Sequence, residues 1–231
     1  MERSNLLATV ETDARGGPPA PDFAWFGKLP SAGDFVSRRM PYPLQQFWDR
    51  WCAAGMELLK TGNRGGGWDF WRNTPKWAFL LPAQPGVSVG QVGVLAPSCD
   101  RVGRNFPLLV SAALPKEQLS YLLPRIGPLV LAWGEVIAQA QFARESVDTL
   151  DGRLEAALGT ILAAEVIVVD SEATLPRGLS PVTLPWPDLA TAFDVQGTES
   201  YWWSIPPAST GFRARTHVGG LTGVHFLGLC S

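Results

Sequence analysis

Residues Phe23–Pro41 read FAWFGKLPSAGDFVSRRMP. Two aromatic or β-branched runs, FAWFGKL and DFVS, flank PSAG, where Pro30 presets φ and Gly33 permits a positive value. The stretch predicts a β-hairpin, or a strand followed by a tight loop, with Phe23, Trp25, Phe35 and Val36 feeding a core. It also brings Asp22, Lys28, Asp34, Arg38 and Arg39 close together. Three readings therefore open: a ligand loop, a catalytic loop, or a folding element that also presents a docking surface.

Downstream of it, Pro43 opens a helix whose Leu44, Phe47, Trp48, Trp51, Leu58 and Leu59 form one apolar face, to be packed on a sheet. Gly62 and the following NRGGG should end it. Strands are predicted over Trp77–Leu81, Gln91–Ala96 and Phe106–Leu114, and their near-continuous apolar character predicts cover on both faces. Helical patterns follow over Lys116–Leu123, Pro128–Ala143 and Ser146–Leu158, expected to cover the sheet from one side. Two last strands are predicted at Tyr201–Ile205 and Val224–Leu229. The whole reads as an α+β layered domain over 22–231, with a flexible arm at 1–21, a Pro-rich irregular segment at 171–199 and a mobile loop at 206–220.

Composition narrows the function. Of 231 residues 46% are hydrophobic and 17% charged, which excludes wholesale disorder, and the net charge of -2 supplies no field for nucleic acid. The start has no continuous apolar region of the secretory kind, so a cytoplasmic location is expected. Glu135, Gln139 and Glu165 interrupt the most apolar windows, Ile126–Ala143 and Ala156–Val169, so no membrane insertion is expected. Cys52, Cys99 and Cys230 lack a CxxC pairing and read as buried reduced thiols.

Catalytic signatures are sparse. The glycines after Gly62 lack the Lys-Ser/Thr ending that holds phosphate and metal, and they follow a helix instead of a strand. No GxSxG elbow occurs, and His217 and His225, eight positions apart, are the whole imidazole supply. No catalytic residue, cofactor or metal site is expected. Trp48, Trp51, Trp77 and Trp133 fall at core positions, whereas Trp68, Trp71, Trp186, Trp202 and Trp203 read as loop or edge residues suited to interface anchoring.

One further segment stands out: SCDRVGRNFPLL at Ser98–Leu109, a charged turn running into an apolar strand. Arginine forks pair bidentately with carboxylates, so Asp34 is expected with Arg101 or Arg104, and Asp100 with Arg38 or Arg39. Such pairs would clamp two loops together. The alternative is that Lys28, Arg38, Arg39, Arg101 and Arg104 face a partner's acidic or phosphorylated surface.

The segments WFGKLPSAGDFVSRRMP (Trp25–Pro41), FWDRW (Phe47–Trp51), PKWAFLL (Pro75–Leu81) and DRVGRNFPL (Asp100–Leu108), with YWW near the C-terminus, resemble the TagF (ImpM) family of type VI secretion-associated accessory proteins. The resemblance spans about Asp22 to Leu229. It implies a mainly antiparallel sheet with flanking helices in a longin-like arrangement. It also implies a cytoplasmic protein that restrains assembly or firing of the secretion apparatus post-translationally, in some systems through a forkhead-associated scaffold protein. In some bacteria the domain is fused to a phosphatase; this length leaves no phosphatase-sized segment, so the stand-alone form is expected. The family carries no catalytic residues to transfer. A phosphoprotein-directed hydrolase, or a phosphopeptide sensor built on the Asp/Arg cluster, is the competing expectation. Oligomeric state is not legible.

Overall fold

The hairpin forms as expected: β1 (Phe23–Gly27) pairs antiparallel with β2 (Val36–Arg38), Trp25 facing Arg38 and Gly27 facing Val36. This computed structural model describes residues 19–62, 71, 73–164, 185–186, 189–205 and 212–230. The expected arm before residue 19, the glycine-rich stretch at 63–70, most of the Pro-rich segment and the start of the 206–220 loop lie outside the described residues.

Helix α1 (Tyr42–Thr61) has Pro43 in its first turn, and the Gly62 N–H donates to the Leu58 carbonyl at its end (2.9 Å). Its buried face is Leu44, Trp48, Trp51, Cys52, Gly55, Met56 and Leu59. Leu58, expected on that face, is exposed because the helical turn carries it one position past the stripe. Strands β3 (Lys76–Leu81), β4 (Gly90–Ala96) and β5 (Leu108–Leu114) match the expected ones.

The two helical segments expected next are one helix, α2 (Leu119–Ala143), entered through a 3-10 turn at Lys116–Gln118. Pro124 and Pro128 lie inside it. Each interior proline costs about 3 kcal/mol in helix propensity. The helix nevertheless buries Leu122, Leu123, Ile126, Leu129, Val130, Trp133 and Ile137, and each such side chain contributes roughly 1.5–3 kcal/mol, so packing outweighs the prolines. With its entry turn this helix is long and apolar enough to cross a membrane, despite the polar breaks noted in the sequence, but 56% of its apolar window is buried within the protein. Helix α3 (Val147–Ala163) begins at Ser146, whose side chain accepts the Thr149 N–H, and it buries Leu150, Leu154 and Leu158.

The C-terminal part departs from expectation. After the short α4 (Leu189–Ala192) and strand β6 (Glu199–Ile205), the supposed mobile loop contains β7 (Ala214–Val218), paired antiparallel with β6 from Glu199↔Val218 to Trp203↔Ala214. As an edge strand it exposes Ala214, Thr216 and Val218 and has no apolar run to announce it. The supposed last strand is a helix, α5 (Gly223–Cys230). Its β-branched and aromatic composition suggested a strand, but Thr222 caps it: Oγ1 accepts the His225 N–H (3.2 Å) and the carbonyl accepts the Phe226 N–H (3.1 Å).

The seven strands form one antiparallel sheet in the order β2-β1-β5-β4-β3-β6-β7. Strand alternation sends Trp25, Ala78, Leu80, Val92, Val94, Val110 and Trp203 to the face covered by α2 and α3. It sends Phe26, Trp77, Phe79, Leu95, Leu109 and Trp202 to the face covered by α1 and α5. Three layers result, which is why the central strands read as unbroken apolar runs. Trp71, Trp202 and Trp203, expected as interface anchors, are buried; Trp202 donates its indole N–H to Ser200 Oγ (2.9 Å).

Candidate functional site

The two charged segments meet at one end of the sheet, and Gly27 makes the meeting possible. Its φ is +139°, and a Cβ there would lie 2.0 Å from the Pro107 carbonyl oxygen. Strand β1 therefore passes against the entry to β5, and the Lys28 N–H donates to that same carbonyl (3.2 Å). The Lys28 carbonyl accepts Ser98 Oγ (2.7 Å), and the Ser98 carbonyl accepts the Phe106 N–H (3.1 Å) and Trp71 Nε1 (3.3 Å).

Asp100 is the hub. Its carboxylate is fully buried, with Oδ2 3.0 Å from Lys28 Nζ and 2.6 Å from Arg104 Nε, while Oδ1 accepts the backbone N–H of Val102 (3.1 Å) and Arg104 (2.9 Å). Gly103, at φ +87°, closes the turn and donates its N–H to the Asp100 carbonyl (3.0 Å). Burial works to raise the Asp100 pKa, but the Arg104 N–H, the Lys28 ammonium and the Arg104 side chain outweigh it and hold the carboxyl far below the usual range.

The turn is fastened to the hairpin. Arg104 Nη2 donates to the Gly33 carbonyl and the Arg101 N–H to the Ala32 carbonyl, both at 2.7 Å. The Arg101 guanidinium lies over Gly33, where a Cβ would be 3.1 Å from Nη2. Asp34 is exposed and accepts the Phe35 N–H (2.8 Å). Phe35, expected in the core, is 44% exposed: it stacks on Phe26, meets Phe106 edge-on and has Lys28 Nζ 5.1 Å from its ring centre.

The expected partners are therefore exchanged. Asp100 pairs with Lys28 and Arg104, not with Arg38 or Arg39, and Asp34 pairs with neither Arg101 nor Arg104. Arg38 pairs with Asp148 (2.7 Å) and Arg39 forks onto Asp151 (2.9 and 2.5 Å), both aspartates on α3. Trp25 Nε1 donates to the same Asp151 (2.7 Å). Burial works to raise the Asp151 pKa and is outweighed by Arg39 and Trp25, so the carboxyl titrates low. The Arg39 backbone is left-handed (φ 53°) and its guanidinium covers the Phe23 ring. Sequence reasoning missed Asp148 and Asp151; their spacing of three at the start of a helix puts them on one face, and that was the available signal.

Asp34 and Asp100 do not converge: one holds a backbone N–H at the surface, the other is enclosed by two cations. Among the described residues, no three His, Cys, Asp or Glu side chains are grouped to hold a metal ion. His225 lies beside His217, ring centres 4.3 Å apart and tilted by 35°, and stacks on Trp51 in an aromatic cluster that includes Trp202.

The outer surface of this end is basic and apolar. Val102 is 70% exposed, the Arg104 side chain is 57% exposed, and the exposed Arg101 guanidinium makes no ion pair among the described residues. The C-terminal end of α2 docks beside it, Gln141 Nε2 donating to the Pro97 carbonyl (2.9 Å) and Arg144 Nη1 to the Pro30 carbonyl (3.5 Å). On that last turn Phe142 is 94% exposed.

A family model described as the TagF N-terminal domain, Type VI secretion system-associated, matches residues 24–157, a span that holds the hairpin, the Asp100 turn and both clamping aspartates of α3. Among solved structures, the chain is similar to the crystal structure of PA0076 from Pseudomonas aeruginosa PAO1. The two are 26% identical with a TM-score of 0.62, over 91% of this chain and 94% of that one. The curated proteins gave no match.

Proposed function

The chain belongs to the TagF N-terminal domain family of type VI secretion-associated proteins, and from that premise we propose a non-enzymatic accessory protein that binds other secretion proteins and so restrains assembly or firing of the apparatus. It acts in the cytoplasm, and a forkhead-associated scaffold protein is the first partner to test. One observation carries this reading: the only buried carboxylate of the two charged segments, Asp100, is consumed internally, while the turn it builds turns Arg101 and Val102 outward. A turn that presents a guanidinium with no ion pair among the described residues, beside an apolar side chain, suits an acidic or phosphorylated protein surface.

The experiment is secretion of a tube component in a deletion strain, complemented with the wild-type chain, with Arg101→Glu and with Phe142→Asp. Deletion should raise secretion and overexpression lower it. The two surface variants, folded by circular dichroism, should fail to restore repression and lose the scaffold in a pull-down. An unchanged secretion level in both the deletion and the overexpression strain overturns the regulatory role. Full repression by both surface variants overturns the assignment of this face.

A further inference from the structure

Away from the charged turn, a cleft of about 420 Å³ opens between the start of β1, the start of α1 and the loop that leads into β4. Ala24, Pro41, Leu44, Val87 and Val89 make its walls apolar, Gln91, Ser111 and Arg39 add polar groups, and the exposed Asp22 lies at its edge. That volume falls within the range of small-molecule sites.

Gln91 sets the chemistry. It is 1% exposed, and its Oε1 accepts Trp48 Nε1 (3.1 Å). An indole N–H can only donate, so this bond fixes the amide orientation and makes the other end Nε2. Nε2 is buried with no hydrogen-bond partner among the described residues. A buried amide N–H without an acceptor is costly, and an acceptor entering the cleft would satisfy it. Arg39 lines the same cleft. Its Nε meets the Phe23 carbonyl and both its terminal nitrogens meet Asp151, so the side chain is held in place beside the cleft.

We infer that this cleft binds a small molecule with an apolar body and a carboxylate or carbonyl acceptor, the acceptor received by Gln91 Nε2 and the body by the walls formed from Ala24, Leu44, Val87 and Val89. Ser111 supplies a hydroxyl on the same side of the sheet. No covalent step is involved; the site is a receptor pocket on a protein otherwise built for contact with other proteins.

The test uses the full chain and 3-phenylpropionate as probe, with 3-phenylpropylamine, which lacks an acceptor, as control. Binding is followed by protein-observed NMR titration. The acid should bind with Kd below about 1 mM and shift resonances of residues lining the cleft, and the amine should not. Gln91→Glu keeps an acceptor for Trp48 but removes the donor, and should weaken the acid at least about tenfold. Val89→Trp, on the loop at the rim, fills the cleft without touching a central strand and should abolish binding even if Gln91→Glu fails to fold. No shift with the acid, equal binding of acid and amine, or unchanged affinity in Val89→Trp overturns the inference.

Discussion

Replacing Asp100 by asparagine keeps the shape of the side chain and removes its charge. The amide oxygen can still accept the Val102 and Arg104 backbone N–H groups, so the turn retains its two backbone bonds. What is lost lies at Oδ2, where an NH2 group would face Lys28 Nζ at 3.0 Å and Arg104 Nε at 2.6 Å. Arg104 is more than half exposed and can swing into water. Lys28 is buried and cannot, so its ammonium would remain desolvated without a counter-charge. Removing one partner of a buried pair costs about 3–5 kcal/mol, and the escape of Arg104 places this variant near the low end, about 3 kcal/mol. For a chain of this size that corresponds to a Tm lower by roughly 6–12 °C. Urea unfolding at pH 7 gives the difference directly. The double variant Asp100→Asn/Lys28→Met, which removes the stranded charge, should recover more than half of the loss. The pH dependence supplies a second check. Because the folded carboxyl titrates below its unfolded value of about 3.9, its contribution is complete above that value and is lost as pH falls towards the folded pKa. Wild type and Asp100→Asn should therefore converge below about pH 4. A loss under about 1 kcal/mol at pH 7, or a double variant no more stable than the single one, refutes the hub role of Asp100.

Two further outcomes follow from packing and titration elsewhere. Burial, with His217 and Arg215 adding to it, pushes the His225 pKa down to about 3. The unfolded chain then takes up a proton below about pH 6.5 that the folded chain refuses, so stability falls with acidification from there towards pH 3. The slope is at most about 1.4 kcal/mol per pH unit; urea midpoints at pH 7, 6 and 5 should fall in wild type and fall less in His225→Phe. Gly55 sits where α1 crosses α5, and a Cβ there would lie 2.2–2.5 Å from Phe226 side-chain carbons, whereas Gly152 on α3 has nothing within 4 Å of that position. Gly55→Ala should destabilise by about 1–3 kcal/mol and Gly152→Ala should stabilise by about 0.5–1 kcal/mol, both read from urea unfolding.

The parts of the fold that were legible in the sequence are those where one local signal had no competitor. FAWFG and VSR, separated by a Pro/Gly turn, specified the hairpin, and the apolar runs of β3, β4 and β5 specified strands covered on both faces. Illegible parts are those where a distant contact decides. The pattern predicted separate helices over Lys116–Leu123 and Pro128–Ala143, and packing on the sheet beneath α2 joins them into one despite Pro124 and Pro128. GVHFLGLC has strand composition, and a single Thr222 cap with α1 alongside makes it a helix. The charged residues of the candidate site were found, but their pairing was not. A carboxylate's partner is chosen by the three-dimensional path of the chain: the spacing of Asp148 and Asp151 marks a shared helix face, but only the packing of α3 against the hairpin brings that face to Arg38 and Arg39.

The exchange of partners bears on the proposed role. Had Asp100 paired with Arg38 or Arg39, one network would have tied the turn, the hairpin and α3 together, and any surface change would have spread through it. Instead Arg38 and Arg39 anchor the hairpin's return strand to α3, while Lys28 and Arg104 hold the turn separately. The turn's shape rests on Asp100, Gly103 and the carbonyls of Ala32 and Gly33, none of which needs Arg101's guanidinium. Arg101 can therefore change without unfolding its own platform, as a recognition residue requires, and Asp100 cannot. Asp100→Asn should weaken partner binding and stability together, whereas Arg101→Glu should weaken binding alone. Equal loss of stability in the two variants would mean that the turn is a structural clamp through and through, and that the docking face lies elsewhere.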